Sequence, residues 1–75
     1  MTLYQFKLLK EQEQYNTVWE RGVLIDARMA DGYKFLLYKM DSFYVEIKYN
    51  AEKNNIEGLR SFSSVMPLMD YLNMN

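Results

Sequence analysis

The chain has no cysteine and no histidine among its 75 residues. Those two absences remove disulfides, zinc fingers, thiol nucleophiles, histidine bases and most transition-metal sites together. Without disulfides a reducing cytoplasm is the expected setting. The first residues, MTLYQFKLLKEQEQ, lack the basic start, apolar core and small-residue cleavage site of a signal peptide. No apolar run approaches the ~20 residues of a membrane-spanning helix, so no membrane association is expected. The three glycines, Gly22, Gly32 and Gly58, stand alone, and none makes the glycine-rich strand-to-helix loop that cradles a nucleotide. There is no internal repeat, low-complexity segment or linker. Neither sign of charge prevails: nine Lys and Arg stand against ten Asp and Glu, which argues against general electrostatic capture of nucleic acid or anionic lipid.

What remains is rich in apolar and aromatic residues, 49% and 16%, which excludes a disordered chain. A chain this short forms one domain, residues 1–75, and buries only ~60–65% of its unfolded surface, so its stability is marginal. Seven tyrosines and six methionines are many for this length. Either the core is irregular or part of that load lies on a surface that meets something.

From Gly22 to Asn50 the residues alternate, interrupted at Asp31-Gly32 and Asp41-Ser42. Asp-Gly is a strong signal for a two-residue hairpin, because both central residues need positive φ. Folding at both breaks predicts strands over 23–30, 33–40 and 43–50. Val23, Ile25, Ala27, Met29, Leu36, Tyr38, Met40, Phe43, Val45, Ile47 and Tyr49 then share one face. A slip of one residue scatters that set, so the pattern specifies the register. A fourth strand is expected over 56–62 after the polar AEKNN turn. An even loop there places Ile56, Gly58 and Phe62 on the buried face together with an awkward Arg60.

A helix is expected over 10–21, with Glu11 and Glu13 in its first turns, Arg21 at its end and Gly22 as the C′ residue. Tyr15, Val18 and Trp19 form its apolar stripe. Tyr4, Phe6 and Leu8 alternate with polar residues and read as a short N-terminal edge strand; the first turns of a helix are the competing reading. Ser63 or Ser64 can cap a last short helix, with Pro67 in its first turn and Met66, Leu68, Met69 and Leu72 as apolar contacts. The expected fold class is therefore α+β: a four-stranded antiparallel meander with a preceding helix, a short C-terminal helix and an extra N-terminal edge strand. Tyr15, Trp19, Val23, Ile25, Leu36, Tyr38, Val45 and Ile47 are the expected core, closed by Phe62 and Leu72.

The outward face is where function is expected. It carries Leu24, Asp26, Arg28, Tyr33, Phe35, Leu37, Lys39, Tyr44, Glu46, Lys48 and Leu59. A sheet face left in water is mostly polar; this one mixes aromatics, leucines and both signs of charge. Arg28, Phe35 and Lys48 fall in one cross-strand row and Asp26, Leu37 and Glu46 in the next. The expected interaction surface is Arg28, Tyr33, Phe35, Leu37, Tyr44 and Lys48, with Phe35, Leu37 and Tyr44 at the contact. The occupants weighed are the chain's own termini, a second copy meeting this face or a sheet edge, and another protein. Single-stranded nucleic acid stacking on Tyr33, Phe35 and Tyr44 is the alternative, opposed by Asp26 and Glu46. Asp26 and Glu46 are the one carboxylate pair on this face, ~9.5 Å apart across two strand spacings and separated by Leu37. They read as solvated ion-pair members, and no enzymatic activity or cofactor is expected. The letters FYVE at 43–46 are a strand, not the zinc-binding lipid domain of that nickname, which needs cysteine and histidine.

The segments YNTVWERGVLI (15–25), FLLYKMDSFYVEIKY (35–49) and LRSFSS (59–64) resemble a family of short, uncharacterised bacterial single-domain proteins. The likeness covers most of the chain. It implies a small bacterial cytoplasmic domain of unknown function and carries over no site residue. Together these readings predict a non-enzymatic interaction module that self-associates as a homodimer.

Overall fold

In the computed structural model, which describes residues 1–63, two helices precede a four-stranded antiparallel sheet: α1 (Leu3–Lys7), α2 (Glu11–Arg21), β1 (Val23–Ala30), β2 (Tyr33–Lys39), β3 (Tyr44–Asn50) and β4 (Asn55–Phe62). The strand order is β1-β2-β3-β4, the meander expected from the two turns. The C-terminal helix expected after Ser63, and Leu72 with it, lie outside the described residues.

The N-terminal segment is a helix, not the expected edge strand. Its signal is Thr2, which precedes the apolar residues. The Thr2 hydroxyl accepts the Gln5 backbone N–H at 3.2 Å, and the Gln5 side chain accepts the Thr2 N–H at 2.9 Å. This reciprocal capping box satisfies two donors that a helix start otherwise leaves unpaired. Winding separates the alternating residues: Phe6 is fully buried, whereas Tyr4 and Leu8 are exposed. The Phe6 ring packs on Phe43, with centroids 5.2 Å apart.

α2 begins where the Lys10 backbone N–H donates to the Glu13 carboxylate at 3.3 Å. It buries Val18 completely and packs Tyr15 beside the core. Trp19, expected inside, is half exposed; it stands at the flank of the sheet with its ring edge-on to Tyr38 at 5.9 Å. Gly22 ends the helix in extended backbone, φ −75°, not in the left-handed C′ conformation expected of it. Its glycine serves close approach instead, because a Cβ would lie 2.7 Å from the Val18 carbonyl oxygen.

Asp31 and Gly32 both take positive φ, 53° and 82°, as a two-residue primed turn requires. Leu36 pairs with Ala27 and Ile47, and Tyr38 with Val45. At the far end of the same strand pair, the Met40 N–H donates to the Phe43 carbonyl at 2.8 Å across the Asp41-Ser42 turn. The third turn has an even length, with Asn50 opposite Asn55. The Asn50 side-chain oxygen accepts the Glu52 and Lys53 N–H groups, and the Tyr49 hydroxyl bonds to Asn54.

Two register shifts rearrange the edges. In β1, Leu24 pairs with Tyr38 and Asp26 with Leu37, so Ile25 is an extra residue. The parity change turns Leu24 towards the helices and Val23 away from them, the reverse of the sequence expectation. In β4, Glu57 is extra, between the pairs Lys48–Gly58 and Tyr49–Ile56. Ile56 therefore keeps its expected face, whereas Gly58, Arg60 and Phe62 move to the opposite one. Leu59 takes their place and packs against the core. The awkward buried Arg60 of the unbulged register does not arise.

The core lies between the helices and the sheet. Phe6, Val18, Met40, Phe43, Val45 and Ile47 are buried there, with Leu36 and Tyr38 packed against them. Val23 and Ile25, expected in this core, are 63% and 43% exposed. They belong to an edge strand that neither helix covers.

Because α1 is a helix, Phe6→Ala should cost about 3–5 kcal/mol, while Leu8→Ala should change stability by less than about 0.5 kcal/mol; urea unfolding measures both, and equal losses would restore the strand reading. Burial raises the Tyr15 phenol pKa, with Glu11 adding to it, and burial alone raises that of Tyr38. The folded state thus holds these protons more tightly than the unfolded state, whose tyrosines titrate near ~10. Their stabilising contribution is intact below that pH and is lost as pH rises through the higher folded values. Urea midpoints between pH 8 and 11 should therefore fall less steeply in the Tyr15→Phe, Tyr38→Phe double variant.

Candidate functional site

The second face of the sheet, away from α1 and α2, is built from alternate residues of all four strands. Register brings together all six residues expected there. Arg28, Phe35 and Lys48 align in one row, and Asp26, Leu37 and Glu46 in the next. Tyr33 stands opposite Asn50, and Tyr44 opposite both Lys39 and Phe62. The bulge in β4 adds Gly58, Arg60 and Phe62, which the sequence reading had placed on the other face.

The centre of this face is closed to solvent. Leu37 is 0% and Glu46 5% exposed. Leu37, expected at the contact with a partner, is therefore not available to one in this state, and Phe35 and Tyr44 are half-buried. The N-terminal segment does not cover them, because Phe6 and Leu3 belong to the core on the opposite side.

The cations of this face lie on its own aromatic rings. Arg28 stands 5.0 Å from the Phe35 centroid, Lys48 4.2 Å from that of Tyr33, and Arg60 5.4 Å from that of Phe62. Tyr44 and Phe62 stack on each other, centroids 5.9 Å apart. Such pairs fix the side chains in place, and they occupy ring faces that an incoming base would need. The Arg60 Nε donates to Glu46 Oε1 at 2.7 Å. An open cleft of about 230 Å³ lies beside this pair, between Phe35 and Gly58, where the missing Gly58 side chain leaves the space empty.

Asp26 does not share that cleft. Its carboxylate is exposed and accepts the Ala27 N–H at 2.8 Å, while Glu46 is buried against Arg60. The two acids do not converge on a common point, which general acid–base chemistry would need. Among the described residues no group of three acidic, histidine or cysteine side chains could hold a metal ion. Among them also, no helix is long and apolar enough to cross a membrane.

A different surface emerges at β1. This edge strand exposes Val23, Leu24, Ile25 and Met29 at 63%, 51%, 43% and 58%, and Trp19 adjoins it at 49%. The apolar side chains project on both faces of the strand, because the Ile25 bulge breaks the alternation. One sequence signal could have revealed it. Val23-Leu24-Ile25 is three consecutive apolar residues in the first strand of a meander, which is by topology an edge.

No family model, curated protein or solved structure matches the chain.

Burial of Leu37 predicts that Leu37→Ala costs about 2–5 kcal/mol by urea unfolding. Replacing Arg60 with Ala removes one charge-assisted hydrogen bond from the buried Glu46. Because Arg60 is half exposed and screened, the expected loss is only on the order of 1 kcal/mol.

Proposed function

We propose that this chain is a non-enzymatic, cytoplasmic protein–protein interaction module that self-associates as a homodimer. The observation that carries the reading is the apolar edge strand β1. An eight-residue strand, Val23–Ala30, presents one row of backbone hydrogen-bonding groups to solvent, flanked by exposed valine, leucine, isoleucine and methionine. Long apolar edges are templates for strand addition, and proteins that stay monomeric blunt them with charge, proline or a covering element. The other edge, β4, carries charge and a bulge as β1 does, but among the described residues Ile56 is its one exposed large apolar side chain, against four on β1. The contact is therefore moved from the Phe35–Leu37–Tyr44 face, closed at its centre, to β1. A small domain with a modest core also gains most from a second copy.

Single-stranded nucleic acid remains the second reading: Arg28 and Lys48 supply cations beside the rings of Phe35 and Tyr33, and binding requires them to leave those ring faces to incoming bases. It predicts binding of mixed-sequence single strands at low salt that weakens in an Arg28→Gln, Lys48→Gln variant.

Light scattering on a size-exclusion column across a concentration series tests the homodimer directly. A mass rising from about 9 kDa to twice that value is expected. Replacing Ile25 and Met29, both exposed, with Lys should return the protein to the monomer mass without lowering its unfolding free energy by more than about 1 kcal/mol. A monomer at every concentration would sink the reading.

A further inference from the structure

We infer that the partner at β1 is a second copy of the same chain, paired antiparallel with Ala27 on the two-fold axis; this rests on the homodimer reading above and specifies its geometry. Ala30 and Tyr33 flank the two-residue turn and so face each other as a hydrogen-bonded pair. Alternation then turns the backbone groups of Arg28 and Asp26 towards β2 and those of Ala27 and Met29 outward, to the open edge. The Ala27 N–H bears this out: it donates to the side chain of Asp26 at 2.8 Å.

A two-fold axis perpendicular to the sheet is the one that pairs identical strands antiparallel while keeping each side chain on its own face. Such an axis passes between two copies of one residue, and among the central positions 26 to 28, which keep most of the strand paired, charge selects which. Centred on Asp26, the two Asp26 carboxylates oppose each other; centred on Arg28, the two guanidinium groups do. Like charges directly opposite are destabilising. Centred on Ala27, Asp26 of each copy stands opposite the partner's Arg28, which forms two reciprocal ion pairs on the second face. Ala27, one of the two alanines of the strand, lies at the crossing on the sheet face that carries the helices. Met29 meets the partner's Ile25, so apolar residues flank the charged centre.

The pairing also exchanges the hydrogen bond of the Ala27 N–H. On association the Ala27 N–H passes from the Asp26 carboxylate to the carbonyl of the partner's Ala27. The released carboxylate turns to the partner's Arg28. In the monomer, Asp26 thus caps the donor that the partner later takes. The product is a continuous sheet in which both copies carry their helices on the same side.

The experiment is the association constant of the full chain, by sedimentation equilibrium, for five variants. Met29→Pro deletes an outward N–H that makes no bond within the sheet, so it should abolish the dimer while retaining the circular dichroism of the fold. Asp26→Asn and Arg28→Gln should each weaken association, by roughly 3- to 30-fold, since each removes both reciprocal pairs. An axis at residue 26 predicts that Asp26→Asn strengthens the dimer, and an axis at residue 28 predicts the same for Arg28→Gln. The last two variants are a pair: Asp26→Arg should not self-associate yet should form a heterodimer when mixed with Arg28→Asp. If Met29→Pro does not fold, the two neutralising variants still decide the register. A wild-type dimer indifferent to all of them overturns the pairing but leaves the homodimer reading intact. A wild-type monomer overturns both.

Discussion

The pairing of β2 with β3 is the constraint on which the rest of the structure depends. Leu36 opposite Ile47 and Tyr38 opposite Val45 set four side chains on one face within two rows. Met40 and Phe43 extend that ridge across the second turn. α2 lowers Val18 onto it and α1 lowers Phe6, so the position of both helices is dictated by a register that is already complete between two adjacent strands. The same pairing determines the second face, since every residue between the ridge positions points the other way. Leu37 and Glu46 are neighbours there for the same reason that Leu36 and Ile47 are neighbours on the core side.

Control weakens outward from that pair. Each flanking strand carries one extra residue, Ile25 in β1 and Glu57 in β4, and each reverses the parity of part of its strand. In β4 the reversal relieves a conflict: Leu59 replaces Arg60 against the core, and Arg60 reaches Glu46. In β1 it creates an asymmetry. Apolar side chains are left on both faces of a strand that has a neighbour on one side only. The helices cannot compensate, because their position is set by β2 and β3. A domain with its core centred on the middle of the sheet thus leaves one edge apolar and open, which is the physical basis of the proposal that a partner strand adds there.

The second face illustrates how composition and accessibility separate. Its aromatics and cations suggest a binding surface when read as a list of residues. In space the cations sit on the rings, Tyr44 stacks on Phe62, and Leu37 is enclosed. The interactions that fix the face also occupy the groups that a ligand would use. β1, with fewer aromatic residues, offers more unsatisfied surface.

Much of the fold was legible in the chain itself. Asp31-Gly32 dictates a primed turn because few other dipeptides tolerate positive φ twice, and strict alternation on either side dictates the register from Met29 to Asn50. The cross-strand rows Arg28–Phe35–Lys48 and Asp26–Leu37–Glu46 follow from that turn together with the one at Asp41-Ser42. The helical start at Thr2 was also present, in the spacing to Gln5, although the alternation of Tyr4, Phe6 and Leu8 concealed it. The two bulges were not legible. A bulge is selected by what lies across the strand and above it, and Ile25 and Glu57 carry no local mark of the extra residue. The closure of Leu37 was likewise decided only by the tertiary structure, whereas the exposure of Val23 and Ile25 had one sequence signal, an apolar run in a strand that topology places at an edge. Hydrophobicity determines which residues favour burial; whether an edge strand is covered depends on where the helices come to rest. That depends on contacts between residues distant in sequence, such as Phe6 with Phe43, which no local pattern encodes.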